Sequence, residues 1–155
     1  ANVDAHRFGT SIEILEDTGG EVDVLVCAVG TSGTLSGIAA TLKTSNPDLY
    51  VVAVEPKSSP VLNGGQAGPH DIPGIGAGFV PPLYDAALVD EVMDIEDEQA
   101  WKTAAEAASL EGIPAGISGG AALNAAVSVA GRPEMRGKNI VVILPDSINN
   151  YLSRL

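Results

Sequence analysis

Gly30-Thr31-Ser32-Gly33-Thr34 gathers two kinds of hydrogen-bond donor in five residues: backbone N–H groups that glycine leaves uncovered, and three small hydroxyls. Such a set holds an oxyanion, a phosphate above all. Glycines at 30, 33 and 37 do not make the G-x-G-x-x-G dinucleotide fingerprint, although Glu55 stands about where a ribose-binding acid would. No Gly-Lys-Ser/Thr follows, which excludes a P-loop. An ordinary βα turn also uses glycine to bend sharply, so the loop points to phosphate and names no molecule. Ser118-Gly119-Gly120 is a second turn of the same type, and Ser118 also reads as a plain N-cap.

The elements around these residues follow from periodicity. Val24 to Val29 is an apolar, β-branched run of the kind found in buried parallel strands. Behind the loop, Leu35, Ile38, Ala39 and Leu42 fall at helical spacing and predict a helix to about residue 45. Tyr50 to Glu55 is the next strand, completing a βαβ unit. Residues 1–9 read as irregular, and Thr10 to Thr18 as a short helix stopped by Gly19-Gly20. Lys57 to Asp85 is a long Gly/Pro-rich loop, and such loops in compact domains are usually functional. Ala87 to Ile95 returns to a strand pattern. A helix follows to about Leu110, with Trp101, Ala104, Ala105 and Ala108 on its apolar face. Pro114 to Ile117 reads as extended, Ala121 to Ala130 as helix and Asn139 to Leu144 as the last strand; Pro145-Asp146-Ser147 leads to a terminal turn. The fold class is α/β, a parallel sheet flanked by helices, whose glycine turns gather at the carboxyl ends of the strands.

Composition bounds the function. The 155 residues, 15.7 kDa, suit one domain. With 45% hydrophobic residues but only 4% aromatic, the core must be built from Ala, Val, Leu and Ile. The net charge of −12 argues against nucleic acid and anionic membranes as partners. No apolar stretch reaches the length of a membrane span and no signal peptide is recognisable, so the cytoplasm is the expected compartment. The one cysteine, Cys27, lies inside an apolar strand and reads as a small buried hydrophobe. No metal-ligand spacing occurs. Ala1 has no methionine before it, which suggests a processed terminus or a piece of something longer.

Four segments in order resemble the C-terminal half of the cysteine synthase (O-acetylserine sulfhydrylase) family of fold-type II pyridoxal-phosphate enzymes: Val29-GTSGT-Leu35, Pro73-GIGAGFVP-Pro82, Gly116-ISGGAA-Leu123 and Pro145-DSINNYLS-Arg154. The segments around His6-Arg7 and Glu13 to Asp17 are similar as well. The resemblance implies the C-terminal large-domain part of a tryptophan synthase β-like fold, with residues 1–155 as one cofactor-binding domain. It implies that Gly30, Thr31, Ser32, Gly33 and Thr34 hold the phosphate of pyridoxal 5'-phosphate. It places Ser118 at the pyridine nitrogen, and Gly74, Ile75 and Gly76 around the bound amino acid. The implied reaction makes L-cysteine from O-acetylserine and sulfide by β-replacement through an aminoacrylate. A serine at the ring nitrogen suits that reaction, because it leaves the pyridine largely neutral and a weaker electron sink. The family also implies a homodimer and, as a further partner, serine acetyltransferase.

The sequence departs from the family in places. Ser32 replaces the middle glycine of GTGGT and could add a hydroxyl contact to phosphate; Gly119-Gly120 replaces Ser-Gly; Ile148-Asn149-Asn150 replaces Gly-Glu-Arg. The family's Schiff-base lysine belongs to its N-terminal half. Of the four lysines here, Lys43 and Lys102 fall on exposed helix faces, Lys57 heads the long loop and Lys138 precedes the last strand. No catalytic residue is therefore assigned, and the chain alone is expected to be inactive. The alternatives are a non-catalytic, truncated phosphate- or partner-binding module, a cystathionine β-synthase-type enzyme, and a nucleotide-binding α/β domain.

Overall fold

The computed structural model describes residues 1–154, with side chains through Tyr151. Leu155, and the side chains of Leu152, Ser153 and Arg154 that close the fourth motif, lie outside the described residues. Four strands, β1 (Val24–Ala28), β2 (Tyr50–Pro56), β3 (Glu91–Ile95) and β4 (Ile140–Val142), form one sheet in the order β3-β2-β1-β4. Every pairing is parallel, with Val24 opposite both Tyr50 and Ile140. The strand order turns back between β1 and β4, and ligands of open α/β sheets bind beside such a reversal, beyond the carboxyl ends of the strands.

Alternation along β1 and β2 supplies two cores. Leu25, Cys27, Val51 and Ala53 face α3 (Gly33–Ser45), which contributes Leu35, Ile38, Ala39 and Leu42. Val24, Val26, Val52 and Val54 face α4 (Asp97–Glu111) and α5 (Ile117–Ala130) through Ala100, Ala104, Ile117, Ala121 and Ala125. Burial pushes the Cys27 thiol up to about 12, so it stays protonated and packs as a small hydrophobe.

Several elements differ from the sequence reading. Residues 2–9 are helical: α1 (Asn2–Ala5) runs through a π-helical turn, His6–Thr10, into α2 (Ser11–Thr18). Tertiary contact stabilises this segment, because Gly37 of α3 lets the backbone of Val3 come so close that a Cβ at 37 would stand 2.5 Å from its carbonyl oxygen. β3 is shorter than the pattern, since the Asp85 carboxylate accepts the Ala87 N–H at 3.0 Å and caps a 3-10 turn over Ala86–Leu88. The buried face of α4 is Ala100, Ala104 and Ala107, one step round from the expected stripe. Trp101 packs half-buried beside that face and donates its indole N–H to the Asp71 carbonyl at 2.9 Å. The extended segment before α5 reduces to one bridge, Ala115 to Ser147, and β4 to its three central residues. Among the described residues no helix is long and apolar enough to cross a membrane.

At the amino ends of β2 and β3, Arg132 makes a bidentate pair with Glu91, both contacts at 2.8 Å, and Tyr50 donates to the same carboxylate at 2.9 Å. The Arg132 hydrogen bonds hold the Glu91 carboxyl below its ordinary value. A depressed folded-state pKa contributes stability above the unfolded value, about 4.3, and that stability is lost as pH falls through the folded value. The urea midpoint of the unaltered chain should therefore exceed that of Glu91→Gln at pH 7, with the gap closing below about pH 4. A gap independent of pH would show that the pair contributes packing only.

Candidate functional site

The first turn of α3 leaves the N–H groups following the loop without intrahelical acceptors, the first helical bond being Ser36 N–H to the Ser32 carbonyl at 2.9 Å. They open on the carboxyl end of β1, beside the positive end of the helix dipole. Ser32 makes the turn, and it is the one non-glycine among the described residues with a left-handed backbone, φ 69°. Ser36 donates to the Leu83 carbonyl at 2.7 Å, so the Ser32 hydroxyl, buried 3.1 Å from Ser36 Oγ, donates inward to it. The Ser32 proton is thus engaged within the protein, and Thr31 and Thr34 carry the loop's other two hydroxyls at the cavity.

A cavity of about 290 Å³ lies between the carboxyl ends of β1 and β4. It brings together Gly30, Thr31, Ser32, Thr34, Gly74, Ile75 and Ser118 from the sequence reading. The two remaining candidates do not line it. Gly33 is covered by the side chain of Asn2, which a Cβ at 33 would meet at 2.4 Å. Gly76 lies behind the wall, where its carbonyl meets His70 Nε2 at 2.8 Å and its N–H donates to the Val29 carbonyl at 3.2 Å. That second bond ties the glycine-rich loop to the end of β1.

Ser118 sits inside the first turn of α5, and Gly116 takes the N-cap position. The helix begins four residues before Ala121, so the plain N-cap reading of Ser118 does not hold. A residue the sequence reading passed over stands on the same wall. Asp146 accepts the Tyr151 hydroxyl through Oδ2 at 2.6 Å, while its Oδ1 is buried with no hydrogen-bond donor among the described residues. Gly116 makes room for it, since a Cβ there would fall 1.8 Å from Asp146 Oδ1. The available signal was position, because Asp146 immediately follows the last strand where ligand-binding loops gather. Ser118 thus offers a hydroxyl to anything bound in the cavity, while Asp146 Oδ1 stays packed against Gly116.

Beyond Gly30 and Gly74 the cavity continues into an apolar chamber of about 480 Å³ walled by Ile75, Phe79, Pro82 and Leu83. Glu55 supports it from behind. Buried at the end of β2, it accepts the N–H groups of Leu62 and Asn63 at 2.8 and 3.0 Å, and burial raises its carboxyl above the ordinary value. Its bonds go to protein, which leaves it no ribose-binding part.

None of the four lysines lines either space. Lys43 pairs with Asp90 at 2.9 Å and Lys57 with Glu96 at 2.6 Å; Lys102 lies 3.8 Å from Glu106 and Lys138 3.9 Å from Asp23. Lys43 is more covered than its helix face suggested, its side chain only 20% exposed. Among the described residues no cluster of His, Cys, Asp and Glu could hold a metal ion.

Comparison with known proteins agrees with this geometry. Residues 1–146 match the family described as "Pyridoxal-phosphate dependent enzyme". Cysteine synthase A of Escherichia coli (strain K12) is 48% identical over 99% of this chain and 50% of its own length. The crystal structure of O-acetyl serine sulfhydrylase isoform 3 from Entamoeba histolytica superposes with a TM-score of 0.96 at 49% identity, over 98% of this chain and 45% of that one. An O-acetylserine dependent cystathionine beta-synthase from Helicobacter pylori gives 0.91 at 36% identity, over 98% and 49%. The chain spans about half the length of the curated relatives it matches.

Proposed function

Because the chain belongs to the pyridoxal-phosphate dependent enzyme family, we propose that its residues 1–155 are the cofactor-holding domain of a cysteine synthase. The reaction would make L-cysteine from O-acetylserine and sulfide. The observation that carries this reading is that the loop at 30–34 and Ser118, 84 or more residues apart in sequence, open on one cavity at the sheet's reversal point.

The residues present fit pyridoxal phosphate at both ends. Backbone N–H groups at the start of α3, with the Thr31 and Thr34 hydroxyls, would hold the phosphate. The Ser118 hydroxyl would take the ring nitrogen side. When bound, the cofactor supplies an electron sink for bond changes at the amino acid. Gly74 and Ile75 would bound the amino-acid position, and the Pro81–Leu83 wall would exclude water from it. The imine-forming lysine is not among the residues of this chain, and a segment carrying it would complete the site. A homodimer working in the cytoplasm, with serine acetyltransferase as a further partner, is part of the same proposal.

The placement of the lysines favours a second reading, a module that binds phosphate compounds without catalysis. Titration of the purified chain with pyridoxal phosphate, then borohydride reduction and peptide mapping, tests the proposal. Reversible binding that inorganic phosphate displaces, with no single lysine labelled, is expected. Stoichiometric labelling of one lysine with sulfide-dependent cysteine formation would show that the chain needs no other segment. Failure to bind either compound would sink both readings.

A further inference from the structure

The phosphate loop does not stand alone, because the N-terminal helical segment lies against it and touches both of its free hydroxyls. Asn2 Nδ2 donates to Thr31 Oγ1 at 3.1 Å, and the Gly33 N–H reaches the same oxygen at 3.4 Å. A hydroxyl has two acceptor lone pairs and one proton. Both lone pairs of Thr31 are thus taken, and only its proton remains to be given. Four residues along the same segment, His6 Nε2 lies 3.2 Å from Thr34 Oγ1, while its Nδ1 lies 2.9 Å from Thr10 Oγ1. The spacing of four puts Asn2 and His6 on one face of the segment, and that face meets the loop.

We infer that Asn2 and His6 are positioning residues that set the direction of the loop's hydrogen bonds, fixing Thr31 and Thr34 as donors toward a phosphate group. The inference rests on the proposal that the loop binds phosphate and adds to it which residues orient its hydroxyls. Thr10 donates to His6 Nδ1, His6 donates through Nε2–H to Thr34, and the Thr34 proton turns into the cavity. A phosphate monoester dianion carries no proton, so it rewards a site made only of donors. Asn2 also occupies the space in front of Gly33, which explains why that glycine faces a side chain and not the ligand.

Calorimetric titration with inorganic phosphate reads affinity in the unaltered chain and in Asn2→Ala, Asn2→Asp, His6→Ala and His6→Gln, with folding of each checked by circular dichroism. Asn2→Asp keeps the shape but only accepts, so it draws the Thr31 proton away from the cavity; roughly tenfold weaker binding or more is expected. Asn2→Ala and His6→Ala should each lose a few-fold, whereas His6→Gln, which keeps a donor near Thr34, should recover most of the loss. Asn2→Ala combined with Thr31→Val should be no worse than Thr31→Val alone, because Asn2 acts through that hydroxyl. Long-range 1H–15N spectra of the phosphate-bound chain should show His6 protonated at Nε2 and bare at Nδ1. Phosphate binding that is unchanged in Asn2→Asp and His6→Ala, additive losses in the double variant, or a bare Nε2 would each overturn the inference and leave the phosphate reading standing. No phosphate binding by the unaltered chain would overturn that reading and this inference together.

Discussion

Gly30→Ala should weaken binding of both pyridoxal phosphate and inorganic phosphate by roughly 10- to 100-fold, an overpacking cost of ~1–3 kcal/mol. A Cβ at 30 would stand 2.4 Å from the Gly74 carbonyl oxygen. That neighbour is backbone, in a glycine with φ 85° whose loop is tied to β1 through the Gly76 N–H, so it cannot turn aside as a side chain would. Either the phosphate loop or the 74–76 loop must move, and both line the same cavity. Gly9→Ala is the control, since a Cβ there meets nothing within 4 Å. Calorimetry on the two variants decides the matter: equal affinities would mean that the loops move independently and that the cavity is not built by their contact.

The largest effect on stability is expected at Gly120. Its Cβ would fall 2.2 Å from the Ala100 carbonyl oxygen and 2.9 Å from the Ala104 nitrogen, both backbone atoms of α4. The glycine is what lets α5 cross α4 this closely, and the small-residue face of Ala100, Ala104, Ala121 and Ala125 depends on that approach. Alanine gains about 1 kcal/mol of helix propensity over glycine, but overpacking a well-filled contact costs about 1–3 kcal/mol and occasionally more. Contacts with main-chain atoms lie at the upper end, so Gly120→Ala should lose about 2 kcal/mol net, lowering the melting temperature by roughly 4–8 °C. Gly119→Ala provides the contrast. Its Cβ would meet Ala115 Cβ and Leu144 Cδ2 at 3.3 Å and Leu144 Cα at 3.6 Å, contacts that a shift of a few tenths of an ångström relieves. A Gly120→Ala chain as stable as Gly119→Ala would show that the α4–α5 spacing is set elsewhere.

Phe8, Leu110 and Val127 remain 72%, 76% and 64% exposed. Helical periodicity alone cannot say which apolar positions stay uncovered. The same limit moved the buried stripe of α4 from Ala105 and Ala108 to Ala100 and Ala107, with Trp101 half-buried at its edge. A stripe one residue wide of its expected place is decided by the neighbour it meets, here α5.

The sequence by itself determined the sheet, the glycine turns and the family. Apolar runs such as Val24 to Ala28 and Tyr50 to Val54 are short, rich in β-branched residues and bounded by turn residues, which together mark a buried strand, and this signal is local. Motifs such as 30–34 and 116–123 are contiguous, so their chemistry could be read without knowing where they lie. Tertiary structure decided what each donor faces. The Ser32 hydroxyl looked available from its neighbours in sequence, yet it turns to Ser36 because Ser36 is held by Leu83, 47 residues away. Residues 1–9 looked irregular because their helix is stabilised by α3 and not by their own propensity. Asp146, Asn2 and His6 entered the site for the same reason: side chains meet across distances of 28 or 29 residues and more, and no local period records such meetings.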